Sequence, residues 1–364
     1  MKSTCFWTAV ACFFLFSLLR FPAELLAASA HSLSLWLTAV FPSLFPFLAV
    51  TGILWRLGAA EALGRLLQPV MRPLFRLSGI CAFPLFLGLV SGYPMGAKLT
   101  AQLYENHQLS LSEAKKLLAF CNHPGPLFLV GTVGAEFFHS TVWGYAFLFS
   151  VVAGAFAAGL LFRPLPAQAL PPSAGKRTQK KEGISFLLSV SVRDALTTTA
   201  QIGGYMVFFG AFCAALEQNG FFSLLGRLFS FLPVSREMIS ALGTGLLEMT
   251  NGAAALSQCT DSPKLLLTGA LFLTAFGGAS ILGQTMDLLA PVPISSLRCL
   301  FYQALNGVLA CAVFLLTYDF WEKQAQKAVP VFSSHTETAF SPWVHMLLLF
   351  LLLLGLLSFR KSRK

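Results

Sequence analysis

The chain has 364 residues, of which 56% are hydrophobic and only 11% charged; 36 are phenylalanine, and the mean hydropathy is +0.71. These values exclude a soluble domain, because the apolar residues recur in blocks long enough to cross a bilayer. The formal charge of +10 does not point to nucleic acid, since the basic residues fall in short clusters beside apolar blocks, where they act as topology signals.

The first apolar block, residues 5–26, follows Lys2 and is read as an uncleaved N-terminal transmembrane helix within residues 1–30, although Ala28, Ser29 and Ala30 resemble a signal-peptidase site. Residues 31–55 form the next span, interrupted by Pro42 and Pro46, which remove backbone donors and clash with the preceding turn. Arg56, Arg65, Arg72 and Arg76 then punctuate an amphipathic stretch over 61–77, expected along the cytoplasmic surface. Residues 80–103 are apolar but broken by Gly92, Pro94 and Gly96, with Lys98 just beyond. Ser110 and Glu113 make a capping box, and Lys115 and Lys116 return that helix to the cytoplasmic side. Residues 80–103 must therefore enter and leave on one face, as a re-entrant hairpin. A second break at Asn122, His123, Pro124, Gly125 and Pro126 leads into a crossing segment with Gly131 and Gly134, and a span over 143–162 completes a first repeat, residues 31–162.

Residues 163–183 change composition: Pro164, Pro166, Pro171 and Pro172 are followed by Lys176, Arg177, Lys180 and Lys181, which reads as a basic cytoplasmic linker. Beyond it the plan recurs over residues 184–318. A span at 195–216 is loosened by Gly203 and Gly204, residues 217–233 are exposed, and 235–258 form a second hairpin. Ser262 and Pro263 open the next span in cap-then-proline order, and that span, 264–289, breaks at Gly277, Gly278, Ala279 and Ser280. A span at 296–317 ends the repeat. Residues 319–364 supply a polar loop from 318 to 341 and a C-terminal transmembrane helix at 343–359 with a basic tail.

Counting sides gives about eight spans plus two re-entrant hairpins, with both termini cytoplasmic. The lead spans of the two repeats then run in opposite directions. The expected fold is an all-α polytopic membrane protein of inverted-topology repeats, a plan common among secondary transporters.

A helix broken in hydrocarbon frees N–H and C=O groups, so a break is tolerated only where it is buried in protein or lines a polar cavity. Each half-helix N-terminus carries roughly half a positive charge. Two hairpins entering from opposite faces bring two such ends together beside the ammonium of Lys98, which suits a small carboxylate. The candidate substrate-binding residues are Ser91, Gly92, Tyr93, Pro94, Gly96 and Lys98 of the first hairpin, with Asn122 and Gly125 of the first break. Glu248, Thr250, Asn251 and Gly252 of the second hairpin and Gly278 and Ser280 of the second break complete the set. Tyr93 offers a stacking face to a planar ring. Glu248 opposes an anion unless it is protonated, pairs with Lys98 or holds a coupling cation, and the sequence leaves these three open.

Competing readings apply to several of these residues. Gly131, Gly134, Gly154 and Gly159 suit close helix packing, and Lys98 alternatively snorkels to the headgroups. The eight cysteines form no CxxC pair and read as buried free thiols. Cys121 and His123, two apart, do not share a helix face, so a thiol enzyme is not expected. No bound cofactor or metal is expected; a coupling H+ or Na+ and homo-oligomerisation stay open. The expected partners are a small anionic solute and the lipid bilayer.

At Ser91 to Lys98, at Phe120 to Gly134 with Asn122, Gly125, Pro126, Leu127 and Phe128, and at Glu248 to Gly252, the sequence resembles the sporulation integral membrane proteins of the YlbJ type. These form a branch of the Gate-domain or nucleoside-recognition membrane families, and the resemblance covers about residues 41–317. It implies a fold similar to concentrative nucleoside transporters and a protein of the outer forespore membrane, or the cell membrane, that moves dipicolinic acid toward the forespore. That solute is a planar aromatic dicarboxylate, in keeping with the anion reading. Two other functions stay open: transport of a nucleoside or other neutral solute, and a non-transporting scaffold that recruits a sporulation partner through the 163–183 linker.

Overall fold

Every regular element among the described residues of the computed structural model, 2–163, 165 and 183–327, is helical, as hydrocarbon demands of a chain that must satisfy its own backbone. The 163–183 linker, apart from residues 163, 165 and 183, and the segment after Lys327 lie outside the described residues, so the expected span at 343–359 does too.

Helix α1 (Lys2–Arg20) does not run on to residue 26 as expected: Pro22 begins a new helix at a bend of 105°. Proline suits a first helical turn, where its missing N–H costs nothing. Helix α2 (Pro22–Leu35) continues through a π-helical turn, Trp36–Val40, into α3 (Phe41–Arg56). The wide turn lies just before Pro42, which has no N–H to give the ladder, whereas Pro46 stays inside α3 and, contrary to expectation, does not interrupt the span. Helix α4 (Ala59–Phe75) then turns through 81°, burying Leu63, Met71 and Phe75 and exposing Arg65 and Arg72. Its two faces are those of the amphipathic helix expected over 61–77.

The first hairpin pairs a 3-10 turn and α5 (Ala82–Ser91) with α6 (Met95–Glu105). After it, α7 (Leu111–Leu117) opens on the expected capping box. The chain is then non-helical through residue 125, resumes as a helix at Pro126 that widens into a π-helix, Phe128–Phe137, and closes the repeat with α8 (Thr141–Leu161).

The second repeat has the same order. Helix α9 (Ile184–Gln218), 35 residues long, starts earlier than expected and takes the place of α2 and α3. It is followed by α10 (Phe221–Leu228), the hairpin of α11 (Arg236–Leu247) and α12 (Met249–Ser257), the broken span α13 (Pro263–Phe276) and α14 (Gly278–Leu288), and α15 (Ser296–Lys327). Helix α15 extends ten residues into the region expected as a polar loop. Among the described residues, four helical segments are long and apolar enough to span a bilayer: Thr141–Leu161, Ile184–Gln218, Pro263–Leu288 and Ser296–Lys327.

The two lead helices pack antiparallel, as a two-fold relation between inverted repeats requires. Their seam is made of small residues: Gly210 against Ser32, Gly203 against Trp36, and Gly52 against Ser191. Trp36 Nε1 donates to Thr199 O at 3.0 Å, and Arg56 pairs with Asp194 at 2.8 Å. Helices α8 and α15 are also antiparallel, with Trp143 stacked on Tyr318 near one end and Phe162 against Tyr302 at the other.

These ends orient the hairpins. Hairpin 1 is rooted at the Arg163 end: Lys116 Nζ donates to Arg163 O at 3.0 Å, Arg163 Nε to Pro73 O at 3.1 Å, and Ser78 N to Glu113 Oε1 at 2.9 Å. Hairpin 2 is rooted at the opposite end, where Ser235 N donates to Asp261 Oδ1 at 2.8 Å and Lys264 lies over the Tyr318 ring. The hairpins therefore enter from opposite faces, and each base is closed by a carboxylate from the following segment.

A Cβ added at Gly203 would stand 2.6 Å from the Trp36 ring. Gly203→Leu is expected to destabilise the protein by ~1–3 kcal/mol, the usual cost of overpacking, read as a lower melting temperature in detergent. In a background stripped of native cysteines, His107→Cys and Thr260→Cys, both at exposed positions, are expected to react with impermeant thiol reagents from opposite sides of a sealed vesicle. Labelling from one side alone contradicts the inverted arrangement.

Candidate functional site

The two hairpin tips meet. Tyr93 of hairpin 1 packs with Met249 of hairpin 2 and Ile281 of the second break, with Phe128 of the first crossing segment against them. All four interrupted segments thus contribute to one apolar contact in the interior.

Hairpin 1 turns through Gly92, Tyr93 and Pro94. Gly92 takes φ +86°, and a Cβ there would lie 2.4 Å from Gly125 N. Added Cβ atoms at Gly88 and Gly96 would meet Cys121 O at 2.0 and 1.8 Å. These glycines let the break over residues 121–125 pass in backbone contact with the hairpin. Gly125 packs in turn on the Ser91 backbone, while Ser91 Oγ is buried without a partner. Gly245 and Gly252 make the corresponding close contact inside hairpin 2. Among the candidates, Gly92, Gly96, Gly125 and Gly252 are therefore accounted for by packing.

Tyr93 is not the free stacking face expected of it. It is buried, and its hydroxyl donates to Ala275 O at 2.6 Å. Helix α13 stops at Phe276, because Gly277 and Gly278 take φ +82° and +74°, so the Ala275 carbonyl loses its helical partner. Tyr93 supplies the replacement across the repeat boundary. Gly278 rests on the last carbonyls of α11, and Ser280 Oγ accepts from Gln284 Nε2 at 3.3 Å.

Glu248 settles at the very place where an anion was expected. As N-cap of α12, its carboxylate accepts from Thr250 N at 3.2 Å and Asn251 N at 2.8 Å. Hairpin 2 carries its own acceptor at its helix start, in the place a ligand's carboxylate would take. Helices α6 and α14, by contrast, begin with no side-chain cap, and Pro94 and Gly277 precede them.

Two candidates lie apart from the tip contact. Lys98 Nζ donates to Thr198 Oγ1 on α9 at 2.6 Å, so the ammonium faces the lead helix that also bears Asp194. Asn122 Nδ2 donates to Thr285 Oγ1 at 3.2 Å and lines a small cavity with Gln303 and Asn306 of α15. Thr198, Thr285, Gln303 and Asn306 were not singled out from sequence. The amides at 303 and 306, one helical turn apart in an apolar span, were the available signal.

The family model described as Gate, nucleoside recognition, matches residues 37–192. The sporulation integral membrane protein YlbJ of Bacillus subtilis (strain 168) is 31% identical over 334 residues, covering 84% of this chain and 81% of that protein. The chain belongs to the YlbJ family. It is thus an integral membrane protein. Two structures of the concentrative nucleoside transporter CNTnw share the fold. A doubly substituted form in an outward-facing state aligns at TM-score 0.53 and 13% identity, over 88% of this chain and 85% of that one. The inward-facing substrate-bound state aligns at TM-score 0.50 and 13% identity, over 86% and 84%. At that identity the likeness concerns architecture alone, and it covers both repeats.

Tyr93→Phe removes the donor and leaves Ala275 O unpaired in the interior. The expected cost is ~1–3 kcal/mol, visible as a lower melting temperature, whereas an unchanged melt places the hydroxyl outside the stabilising network.

Proposed function

We propose that this protein is a carrier of a small organic anion, dipicolinic acid, across the outer forespore membrane, with both termini in the cytoplasm. One observation carries the reading: hairpins entering from opposite faces converge at Tyr93, Met249 and Ile281, beside two helix starts without a side-chain cap. Such starts attract negative charge by ~0.3–1 kcal/mol each at exposed sites and more when desolvated. Lys98, one turn into α6, adds a full positive charge. A planar dicarboxylate matches paired helix starts, and a sporulation membrane protein is the named relative.

Glu248 favours a second reading. Its carboxylate already neutralises the start of α12, which lowers the positive potential at hairpin 2 and suits a neutral solute such as a nucleoside.

Uptake of labelled dipicolinate and of uridine into proteoliposomes separates the two. The anion reading expects dipicolinate uptake that unlabelled uridine does not compete away. Lys98→Gln keeps a donor for Thr198 but removes the charge. It is expected to cut dipicolinate uptake by roughly tenfold or more, the equivalent of a lost charge-assisted contact, with the melting temperature unchanged. Preferential uridine uptake supports the neutral-solute reading, and undiminished dipicolinate uptake by the variant removes Lys98 from the binding site.

A further inference from the structure

Between the first break, α14 and α15 lies a cavity of about 20 Å³ that shares no residue with the tip contact. Its polar lining is Asn122, Thr285, Gln303 and Asn306, and the four are 9%, 4%, 6% and 5% exposed. It lies toward the Arg163 end, since Tyr302, which also lines it, packs on Phe162.

The hydrogen bonding of this lining is incomplete. Asn306 Nδ2 donates to Ala119 O and Tyr302 O, both at 2.8 Å, which fixes the amide and leaves Oδ1 unpartnered. Asn122 uses its Nδ2 on Thr285, and its Oδ1 is also unpartnered. Neither Gln303 Nε2 nor Gln303 Oε1 has a partner. An unsatisfied polar atom buried in protein costs ~1–3 kcal/mol, and native interiors hold few of them. Four around one cavity are too many for a lining with only a packing role. Leu118, Leu289, Cys299 and Tyr302 complete the wall, and no charged side chain lines it. The unpartnered set holds three acceptor oxygens and one amide NH2, so the complementary group must donate and must also accept. The space admits one group of about the size of a water.

We propose that this cavity is a second binding site, for a hydroxyl-sized group that both donates and accepts hydrogen bonds, set between the hairpin tips and the Arg163 face. Two sources carry that chemistry: a fixed water, and a hydroxyl of a solute passing through the carrier. The second source rests on the neutral-solute reading above, since dipicolinate brings no alcohol hydroxyl; the site itself does not.

The test uses the full-length protein and Gln303→Met, which keeps the side-chain length and removes two atoms that bond nothing in the fold. An experimental map able to place waters is expected to show density within hydrogen-bond distance of Gln303 and Asn306. A cavity without density in the wild type, together with wild-type uptake by Gln303→Met, overturns the proposal. A roughly tenfold loss of uridine uptake in Gln303→Met at an unchanged melting temperature, the equivalent of one hydrogen bond, assigns the site to a solute hydroxyl. Unchanged uptake with density present assigns it to a fixed water. If the wild type carries neither dipicolinate nor uridine, the carrier reading fails while the density still decides the site.

Discussion

A helix interrupted inside a bilayer must find new partners for the backbone groups it frees, and the whole arrangement follows from how that demand is met. At the second break, Ala275 O is taken by the Tyr93 hydroxyl, which belongs to the other repeat. At the first break, the end of α7 leaves Ala119 O and Phe120 O, taken by Asn306 Nδ2 and by His123 Nε2 at 2.7 Å, the ring nitrogen acting as donor. At the tip of hairpin 2, the exposed N–H groups of Thr250 and Asn251 are taken by Glu248. Two of these three repairs reach between repeats. The halves are therefore joined through their own interruptions, and neither can close its backbone ledger alone.

The same constraint separates firm contacts from loose ones. Each hairpin base is closed by a carboxylate on a backbone N–H, Glu113 on Ser78 and Asp261 on Ser235. Charge-assisted bonds of this kind are roughly twice as strong as neutral ones. The tips touch through three buried side chains, Tyr93, Met249 and Ile281. At the tips, by contrast, the contact is apolar apart from the Tyr93 hydroxyl on Ala275 O.

Much of this was readable from the chain. Gly92, Pro94 and Gly96 in one apolar run, and Gly277 with Gly278 in another, marked interruptions because clustered glycine and proline disfavour a continued helix, although single prolines such as Pro46 in α3 and Pro69 in α4 do not end theirs. The capping box at Ser110 and Glu113 was equally plain, because it depends on a local spacing of three residues. The opposite directions of the two repeats followed from where the basic residues lie. What escaped was long-range. That Glu113 also closes hairpin 1, that Lys98 meets Thr198, and that Tyr93 points at Ala275 rather than at a solute depend on partners far along the chain, 182 positions in the last case. The glycines were a milder miss. Their unusual density was visible, but a site and a seam call for the same residue, and only the nearness of Cys121 O to Gly88 and Gly96 decides for the seam.

Charge at the tips is unequal, and this shapes how an anion could be held. The start of α12 is occupied by the Glu248 carboxylate, while α6 and α14 start behind Pro94 and Gly277 with no side-chain acceptor. Lys98 stands on the α6 side and its Thr198 partner is neutral, so its charge is not cancelled by that bond. On the carrier reading, an anion therefore lies nearer hairpin 1 and the second break than hairpin 2, whose first N–H groups Glu248 already occupies. A dicarboxylate gains most when its two groups address two different helix starts, which α6 and α14 supply across the Tyr93 to Ile281 contact. Glu248 then acts by occupancy, since its oxygens already take the Thr250 and Asn251 N–H groups that a ligand approaching α12 would need.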